Sequence, residues 1–352
     1  MPTVLHILPH RGGGAETYVD LLEGLDGYRH RRVPLSATRS RLRGVPSVLR
    51  RRRRIVELGR EADLVHVHGD MAAMLIAPAI GDCPLVITSH GLHRLRRARG
   101  VSAWFIRRRL RAAVEASTRT ICIAKDERDD LAAILPPSLG DRLVVVRNGV
   151  PVPVPADPAR RAETRRSLGL GDGEVAVLFV GQLEKRKDPL GAIAATQAAR
   201  AHGAAVVLLI AGSGPLEGEV LSRQGAGVRP LGQREDLPDL YAAADLFLLP
   251  SHREGMSFAL LEAMAHGLPP IVADGTGNAE TVGAAGPVFP AGDVVAMSEL
   301  LVRLASDAVA RAQLGEAARE RVRAEFGAER FLAATREQYE AALASGGDRQ
   351  GA

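Results

Sequence analysis

Short apolar runs alternate with helical patterns along both halves of the chain. In the first half the runs are TVLHIL, DLVHVHG, PLVITSH, TICIA and RLVVV, and in the second half VAVLFVG, AVVLLIAG, VRPLG, DLFLLPS and PPIVAD. Their apolarity is continuous rather than alternating, which is typical of strands covered on both faces, as in parallel sheets. The pattern therefore predicts an α/β protein with two Rossmann-like, doubly wound parallel-sheet domains.

A proline-rich segment separates the two halves. Residues 151–158 hold four prolines, which exclude a helix and a central strand. We therefore predict a first domain over residues 1–150, a linker over 151–158 and a second domain over 159–325. The charged, Ala-rich end of the chain has helical spacing, and residues 326–346 are expected to form a terminal helix.

A predicted strand, a Gly-containing turn and a helix follow one another in residues 251–274, SHREGMSFALLEAMAHGLPPIVAD. Ser257 stands at the N-cap position of the helix, and Gly267 comes just past its end. A parallel strand that leads into a helix start ends at the carboxyl edge of its sheet, where ligands bind. We therefore expect the backbone N–H groups of Gly255, Met256 and Ser257 to point outwards and to form an anion site.

Two glutamates flank this expected anion site. Glu254 directly precedes it, and Glu262 lies about a turn and a half into the helix. Because a carboxylate repels a phosphate, these side chains are better suited to accept hydrogen bonds from hydroxyls on either side of it. The implied ligand is a diphosphate with a sugar at each end. The alternative is that Glu262 is an exposed helix residue and that Glu254 only favours the helix start.

Cations follow another predicted strand, in the segment FVGQLEKRKDP. After Gly181 come Lys185, Arg186 and Lys187, before the next helix. Cations at a strand end can neutralise a diphosphate and the charge that grows on a leaving group. The alternative is a solvated, lysine-rich turn.

Two glycine-rich turns, in LPHRGGGAETYV and LLIAGSGP, lie between a strand and a helix. The first lacks the dinucleotide-binding fingerprint, because Thr17 stands in the last glycine position of that pattern. Either turn is compatible with close approach to a phosphate, and either is equally compatible with a tight turn of the chain alone.

Histidines end or interrupt two strands of the first half. His90 and His93 follow PLVITS, and His90 is a candidate contact for substrate oxygens. His66 and His68 share one face of their strand, but no third ligand follows at a suitable spacing, so we expect no zinc site. The sequence also has no Asp-x-Asp pair to hold Mg²⁺, and we expect metal-independent chemistry in which protein cations and helix dipoles neutralise the diphosphate.

Seven motifs, in order, resemble those of the family-4 retaining glycosyltransferases of GT-B fold. They are GGGAETYV, SHG, VVVRNGV, FVGQLEKRKDP, LLIAGSGP, LGQREDLPDLYAAADLFLLPSHREGMSFALLEAMAHGLPPIVAD and GPVFPAGD. The most specific part is the Glu-x7-Glu signature, Glu254 with Glu262, and the resemblance extends from residue 4 to about 340. It implies transfer of a sugar from a nucleoside-diphosphate sugar, with retention at the anomeric carbon, in a cleft between two Rossmann-like domains. It also implies that the terminal helix crosses back to the first domain.

The resemblance also implies roles for individual residues. Glu254 would hold the hydroxyls of the donor sugar, Glu262 the ribose, and Lys187 a phosphate, while His90 would lie by the donor sugar. Glu254, His90 and Lys187 are the expected catalytic residues. The remaining expected donor-binding positions are Gly13, Gly14, Gly181, Gln182, Gly232, Gly255, Met256 and Ser257, of which the first two would lie near the leaving group and the acceptor.

One position departs from the pattern of the family. The usual motif is Gly-Arg-Leu, whereas this chain has Gly181, Gln182 and Leu183. The loss of a charge-assisted contact to the diphosphate costs about 1.5–3 kcal/mol. Arg186 or Lys185 could compensate for it.

The charge of the chain is unevenly divided. The net charge is +5, but residues 1–150 carry 26 Lys and Arg against 15 Asp and Glu, whereas residues 151–352 carry 20 against 26. Eight arginines and no acidic residue lie between Arg94 and Arg111, around Trp104 and Phe105. Basic helices with an aromatic patch are typical of proteins that bind anionic membranes. An ordinary solvated surface is the alternative, and too few aromatics are present to favour nucleic acid.

The remaining features concern the cellular compartment and the functional class of the protein. The chain has two cysteines in no metal or redox spacing, and it has no signal peptide and no apolar run of about 18 residues. These features predict a soluble protein of the reducing cytoplasm. If the arginines bind lipid, the protein would lie on the inner face of the cell membrane. Two alternatives to a transferase stay open, namely a nucleotide-sugar epimerase and a non-catalytic nucleotide-sugar-binding protein. The acceptor is an unidentified hydroxyl compound, such as a lipid-linked or cell-envelope glycan.

Overall fold

The chain forms two compact units, each with its own parallel sheet. A computed structural model describes residues 1–10, 13–35, 45–225, 227–275 and 277–347. One unit comprises Met1–Gly149 with Ala328–Ala352, and the other comprises Val150–Gly327.

The first unit is a six-stranded parallel sheet with helices. Its strands are β1 (Thr3–Leu8), β2 (Arg29–Pro34), β3 (Leu64–His68), β4 (Leu85–Thr88), β5 (Arg119–Cys122) and β6 (Leu143–Val145). Its helices are α1 (Gly14–Leu22), α2 (Val45–Arg60), α3 (Asp70–Ile76), α4 (His93–Arg97), α5 (Gly100–Ala116), α6 (Lys125–Ala132) and, from the end of the chain, α15 (Ala328–Gly347). The strand order is β2-β1-β3-β4-β5-β6. The inner strands β3 and β4 are buried throughout, as in a sheet covered on both faces.

The second unit repeats this plan. Its strands are β7 (Val175–Val180), β8 (Val206–Ala211), β9 (Val228–Gly232), β10 (Leu246–Leu249), β11 (Pro270–Ala273) and β12 (Val288–Phe289). Its helices are α7 (Pro158–Ser167), α8 (Pro189–Ala201), α9 (Glu217–Leu221), α10 (Leu237–Ala243), α11 (Phe258–Ala265), α12 (Asn278–Val282), α13 (Val294–Ser306) and α14 (Ala308–Glu325). The strand order is β12-β11-β10-β7-β8-β9, again all parallel.

The structure confirms both parallel sheets and all ten predicted strands, and it adds β2 and β12. Both added strands lie at a sheet edge. The sequence of β2 is RHRRVP, in which partly buried and exposed positions alternate, so it lacks the continuous apolar run of an inner strand. Strand β12 has only two residues, too few for a recognisable pattern.

The proline-rich segment belongs to the second unit, which therefore begins at Val150 rather than at the predicted residue 159. The Val150 N–H donates to the Phe326 carbonyl over 2.8 Å, and Arg319 donates to the Pro153 carbonyl over 2.5 Å. Beyond Gly327 the chain returns to the first unit. There the Tyr339 hydroxyl of α15 lies 2.7 Å from Nδ1 of His66.

The loops at the carboxyl edge of the second sheet pack directly on one another. A Cβ on Gly212 would lie 1.8 Å from the Gly181 carbonyl oxygen, and one on Gly277 would lie 1.6 Å from that of Gly255. The Leu183 N–H also donates to the Ser213 carbonyl over 2.9 Å. The glycines of LLIAGSGP therefore make room for the loop that follows β7.

Replacement of Gly212 by Ala is expected to lower the free energy of unfolding by about 3 kcal/mol or more, because the new methyl group would displace the loop after β7. Gly203→Ala is the matched control, since Gly203 also has positive φ but a Cβ there meets no atom within 4 Å. The control should lose only about 1 kcal/mol. Urea unfolding measures both, and equal losses would contradict the packing account.

Candidate active site

The turn before α11 presents unpaired backbone donors. Helix α11 begins at Phe258, as predicted, and Ser257 is its N-cap residue, although the Ser257 side chain makes no capping hydrogen bond. Among the described residues, the N–H groups of Gly255, Ser257 and Phe258 have no acceptor. We expected this turn to be exposed, but it is buried, with Met256 only 5% exposed and Ser257 and Phe258 each 8% exposed. Buried donors that lack acceptors favour an anionic ligand at this helix start.

Glu254 lies at this turn between two cations. Its Oε1 is 2.5 Å from Nζ of Lys187 and 3.1 Å from Nη1 of Arg186. Both Glu254 and Lys187 are less than a tenth exposed. Burial by itself would raise the pKa of Glu254, but the charges of Lys187 and Arg186 outweigh it and lower the pKa below its ordinary value. The carboxylate is therefore ionised at neutral pH.

The loop after β7 carries the predicted cations, but two of them are already paired. Arg186 also binds the Glu184 carboxylate over 2.8 Å, so Arg186 and Lys187 are balanced by Glu184 and Glu254. Lys185 is exposed. Arg186 and Lys187 are thus paired with carboxylates from the same edge, and their role in neutralising a diphosphate stays a prediction. Gln182, in place of the usual arginine, is partly buried in this loop.

Glu262 has a neutral partner. The Tyr241 hydroxyl of α10 donates to Oε2 of Glu262 over 2.8 Å. Burial raises the pKa of Glu262, and the hydrogen bond from Tyr241 opposes the rise. Glu262 thus keeps acceptor capacity on its second oxygen. It is partly buried, not the exposed helix residue of the alternative reading.

Two further glycines of the predicted site lie at the same edge of the sheet. Gly181 follows β7 directly, and a Cβ there would lie 3.7 Å from Cε of Lys187. Gly232 ends β9 with φ 66°, and a Cβ there would meet no atom within 4 Å. Gly232 therefore allows the left-handed backbone of the turn after β9, whereas Gly181 lies against Lys187, which contacts Glu254.

The predicted residues of the first unit lie at strand ends there. Gly13, with φ 86°, is the N-cap residue of α1, and Gly14 begins that helix; both are exposed. His90 follows β4 with φ 53°, and the next two residues, Gly91 and Leu92, also have positive φ. Left-handed backbone is uncommon outside glycine and is concentrated at functional sites.

A third histidine joins His66 and His68, contrary to our expectation. His6 lies on the neighbouring strand β1, and the ligand atoms of the three lie within 4.8 Å of one another. The sequence contained a sign of this cluster. Every second residue of a strand faces the same side of the sheet, so the histidines of LHIL and HVHG lie on one face where β1 and β3 are neighbours. All three are fully buried, and burial lowers their pKa values well below the ordinary value.

The second unit brings together groups that suit a sugar diphosphate. Unpaired N–H groups at the start of α11 can hold phosphate oxygens, and the ionised Glu254 and the Tyr241-bound Glu262 can accept hydrogen bonds from hydroxyls. A diphosphate here would compete with Glu254 for Lys187. Sequence reasoning missed Tyr241 and the ion pairs of Glu254, because the partners are remote along the chain and only the sheet brings them together.

Family models and relatives agree with these features. The model described as Glycosyltransferase Family 4 matches residues 3–152, and the one described as Glycosyl transferases group 1 matches residues 174–307. The D-inositol 3-phosphate glycosyltransferase of Xylanimonas cellulosilytica is 31% identical over 301 residues, which are 79% of this chain and 71% of that protein. A GDP-mannose-dependent monoacylated alpha-(1-6)-phosphatidylinositol monomannoside mannosyltransferase of Corynebacterium glutamicum is 35% identical over 185 residues, about half (49%) of each chain.

Solved structures share the fold. Anabaena HepE in complex with UDP-glucose superposes with a TM-score of 0.80 at 18% identity, over 97% of this chain and 100% of that one. The sucrose-phosphate synthase of Thermosynechococcus elongatus gives a TM-score of 0.78 at 22% identity, over 98% and 100%. At these identities the likeness concerns the fold, which is GT-B. Together with the two family models and the 31% identical relative, it establishes that the chain belongs to the family-4 glycosyltransferases.

Proposed function

We propose that this glycosyltransferase moves a sugar from a nucleoside-diphosphate sugar to a hydroxyl acceptor, with retention at the anomeric carbon. One observation carries the proposal: Glu254, ionised and held by Lys187, directly precedes a helix start at which, among the described residues, the N–H groups of Gly255, Ser257 and Phe258 lack acceptors. Such a helix start binds phosphate, and the carboxylate beside it suits sugar hydroxyls.

The names of similar proteins support this class of donor. The mannosyltransferase of Corynebacterium glutamicum is described as GDP-mannose-dependent, and HepE was solved with UDP-glucose. In our proposal the N–H groups of Gly255, Ser257 and Phe258 and the side chain of Lys187 hold the diphosphate. Glu254 holds the sugar.

The proposed mechanism needs no strong base. The leaving phosphate takes the proton of the acceptor hydroxyl, and the protein contributes positioning and charge stabilisation. In the second unit, Glu262 accepts a hydrogen bond from the ribose. His90, Gly13 and Gly14 of the first unit remain predictions for the sugar, the leaving group and the acceptor.

A donor panel tests this function. Purified protein is incubated with UDP-, GDP- and ADP-sugars, and both nucleotide release and the sugar product are followed by chromatography. We expect one nucleoside diphosphate to be released and to raise Tm on its own, since a ligand that binds only the folded form stabilises it. Conversion of the intact nucleotide sugar to its epimer would identify an epimerase, and stabilisation without turnover would identify a binding protein.

Replacement of Gln182 by Arg is expected to raise kcat/KM for the preferred donor about tenfold or more, because it restores a charge-assisted contact to the diphosphate. Gln224→Arg, at an exposed turn of the same unit, adds the same charge elsewhere and should leave kcat/KM unchanged. Initial rates at several donor concentrations measure both variants. Equal values for the two would show that Arg186 or Lys185 already supplies the charge.

We further propose that α5 docks the first unit on an anionic membrane that holds the acceptor. Val101, Trp104 and Phe105 are 85%, 61% and 56% exposed, and the guanidinium carbon of Arg108 lies 5.7 Å from the centre of the Trp104 ring.

Not every arginine between Arg94 and Arg111 is available for lipid. Arg96 binds Asp126 and Asp130, Arg109 donates to the Met74 carbonyl, and Arg111 pairs with Glu115. The exposed arginines that remain are Arg94, Arg97, Arg99, Arg107 and Arg108. No helix in the described part of the chain is long and apolar enough to span a bilayer.

Liposome flotation tests the docking proposal. The protein should float with vesicles that contain anionic lipid and remain at the bottom with neutral vesicles, at low salt. Exposed arginines near a membrane contribute about 1 kcal/mol each, so Arg107→Ala with Arg108→Ala should weaken binding about thirtyfold. Arg223→Ala with Arg303→Ala, at exposed positions of the second unit, is the control. Binding that ignores both lipid charge and salt would contradict docking.

A further inference from the structure

Four histidines of the first unit form a continuous line of hydrogen bonds. His30 on β2 contacts His6 on β1 (Nδ1 to Nε2, 2.8 Å), and His6 contacts His68 on β3 (Nδ1 to Nε2, 3.0 Å). His68 in turn contacts His90, just past β4 (Nδ1 to Nε2, 3.1 Å). The line therefore crosses the sheet from its edge strand β2 to the predicted site residue His90.

The rings meet end to end rather than face to face. The ring centres of His30 and His6, His6 and His68, and His68 and His90 are 5.1, 5.3 and 5.4 Å apart, each about 2.3 Å more than the corresponding N···N distance. This excess is the sum of the two centre-to-nitrogen distances, so each N···N vector lies along the line between ring centres. The interplanar angles are only 23–28°. These contacts have the in-plane geometry of N–H···N hydrogen bonds.

Each of these bonds carries one proton. A neutral imidazole has one N–H donor and one acceptor nitrogen, and the inner rings of His6 and His68 use both nitrogens within the line. If one bond reverses, the inner ring must also reverse its other bond. All protons therefore point the same way along the line. Burial supports the neutral state, because it lowers the pKa of His6 and of His68 well below the ordinary value and that of His90 to about 3.

His90 is also held in place by its surroundings. Its backbone is left-handed, with φ 53°, and the Tyr18 ring packs edge-on against its imidazole with ring centres 4.9 Å apart. Since Nε2 of His90 is bound to His68, Nδ1 is the nitrogen that is left for a substrate.

We propose that His30, His6 and His68 are positioning residues that couple the tautomer of His90 to their own through this imidazole chain. In one direction of the chain, Nδ1 of His90 accepts a hydrogen bond from a substrate hydroxyl; in the other, it donates one to a substrate oxygen. This inference rests on the proposed function for the position of His90 beside the donor sugar. The chain itself does not depend on that function.

A metal centre fits these contacts less well. Of the three clustered histidines, His6 and His68 already share a hydrogen bond, and His66 has both nitrogens engaged, with the Tyr339 hydroxyl and with Thr88 Oγ1, each over 2.7 Å. The cluster contains no carboxylate to offset the charge of a divalent ion, and all three rings are fully buried.

Nitrogen NMR of protein labelled with ¹⁵N-histidine tests the chain. We expect through-bond N–N couplings for three pairs, His30 with His6, His6 with His68, and His68 with His90, and one tautomer at each ring. Absence of these couplings in the unmodified protein, or their replacement by a stoichiometric Zn²⁺ complex on addition of the metal, would overturn the proposal.

His30→Phe tests the long-range effect, since His30 is only half-buried and lies at the end of the chain away from His90. The variant should convert His90 to a mixture of tautomers and lower kcat about two- to tenfold with little change in KM. His202→Phe, at an exposed helix end of the second unit, should change neither. An unchanged His90 tautomer in folded His30→Phe would refute the proposed positioning role of His30. An altered tautomer in a protein without transferase activity would refute the proposed function alone.

Discussion

Glu254→Ala is expected to lower kcat by about 10²- to 10³-fold, the usual loss when a preorganised charged contact to the reacting groups is removed. The substitution takes away the acceptor proposed for the donor sugar. It also leaves Lys187, which is less than a tenth exposed, without its carboxylate partner. Initial rates of sugar transfer with the preferred donor measure the effect.

Two variants separate catalysis from stability. Because an unpaired buried cation is destabilising, Tm of Glu254→Ala must be measured alongside the rate. Glu254→Gln keeps the shape and some acceptor capacity without the charge, and we expect it to be intermediate in rate. Glu219→Ala, on the exposed surface of α9, is the control and should be fully active. A folded Glu254→Ala variant with unchanged kcat would remove the site from the second unit.

The first unit is expected to lose stability steeply below about pH 6.5. His6, His66 and His68 have pKa values well below the ordinary 6.5 in the folded chain, and that of His90 is about 3. Below pH 6.5 the unfolded chain therefore binds more protons than the folded one, so the free energy of unfolding falls as the pH falls. Between pH 7 and pH 5 each histidine contributes a loss of about 2 kcal/mol.

The carboxyl groups of Asp70 and Glu127 oppose this loss, because burial raises the pKa of each. Burial raises the pKa of Glu127 to about 7, so the folded chain gains about 2 kcal/mol from it over the same interval. The net loss of about 6 kcal/mol is large beside a total stability of about 5–15 kcal/mol. Calorimetry at pH 7 and pH 5 should show it as a lowered Tm for one of two transitions.

A histidine variant tests the cause. His66→Gln should reduce the pH dependence by about 2 kcal/mol, because glutamine has no proton to gain. His202→Gln removes an exposed histidine and should leave the pH dependence as it was. Equal stability of the unmodified protein at pH 7 and pH 5 would contradict the account.

Inner strands could be predicted from the sequence because burial on both faces leaves a continuous apolar run, as in VAVLFV of β7. The edge strand β2, RHRRVP, could not, because its positions are exposed or only partly buried and its pattern resembles that of a loop. The start of α11 could also be predicted, since a Gly turn, an N-cap serine and a helical run follow one another locally.

The chemical state of the site depended on contacts between distant parts of the chain. Glu254 and Lys187 were both identified as site residues, yet their ion pair arises only because β7 and β10 are neighbours in the sheet. For the same reason the hydrogen bond from Tyr241 to Glu262 and the contact from His6 to His68 were missed. Local sequence patterns identify residue types at strand ends but not their partners across the sheet.

The most direct test is the amide spectrum of protein labelled with ¹⁵N-methionine during titration with the nucleoside diphosphate of the preferred donor. The sequence has only six methionines, and Met256 lies in the turn before α11. We predict a large shift of the Met256 amide signal that saturates as the nucleoside diphosphate fills its site. The amide signal of Met297, which is fully buried in α13, should not shift. Binding that leaves the Met256 amide unchanged would place the diphosphate elsewhere and contradict the proposed site.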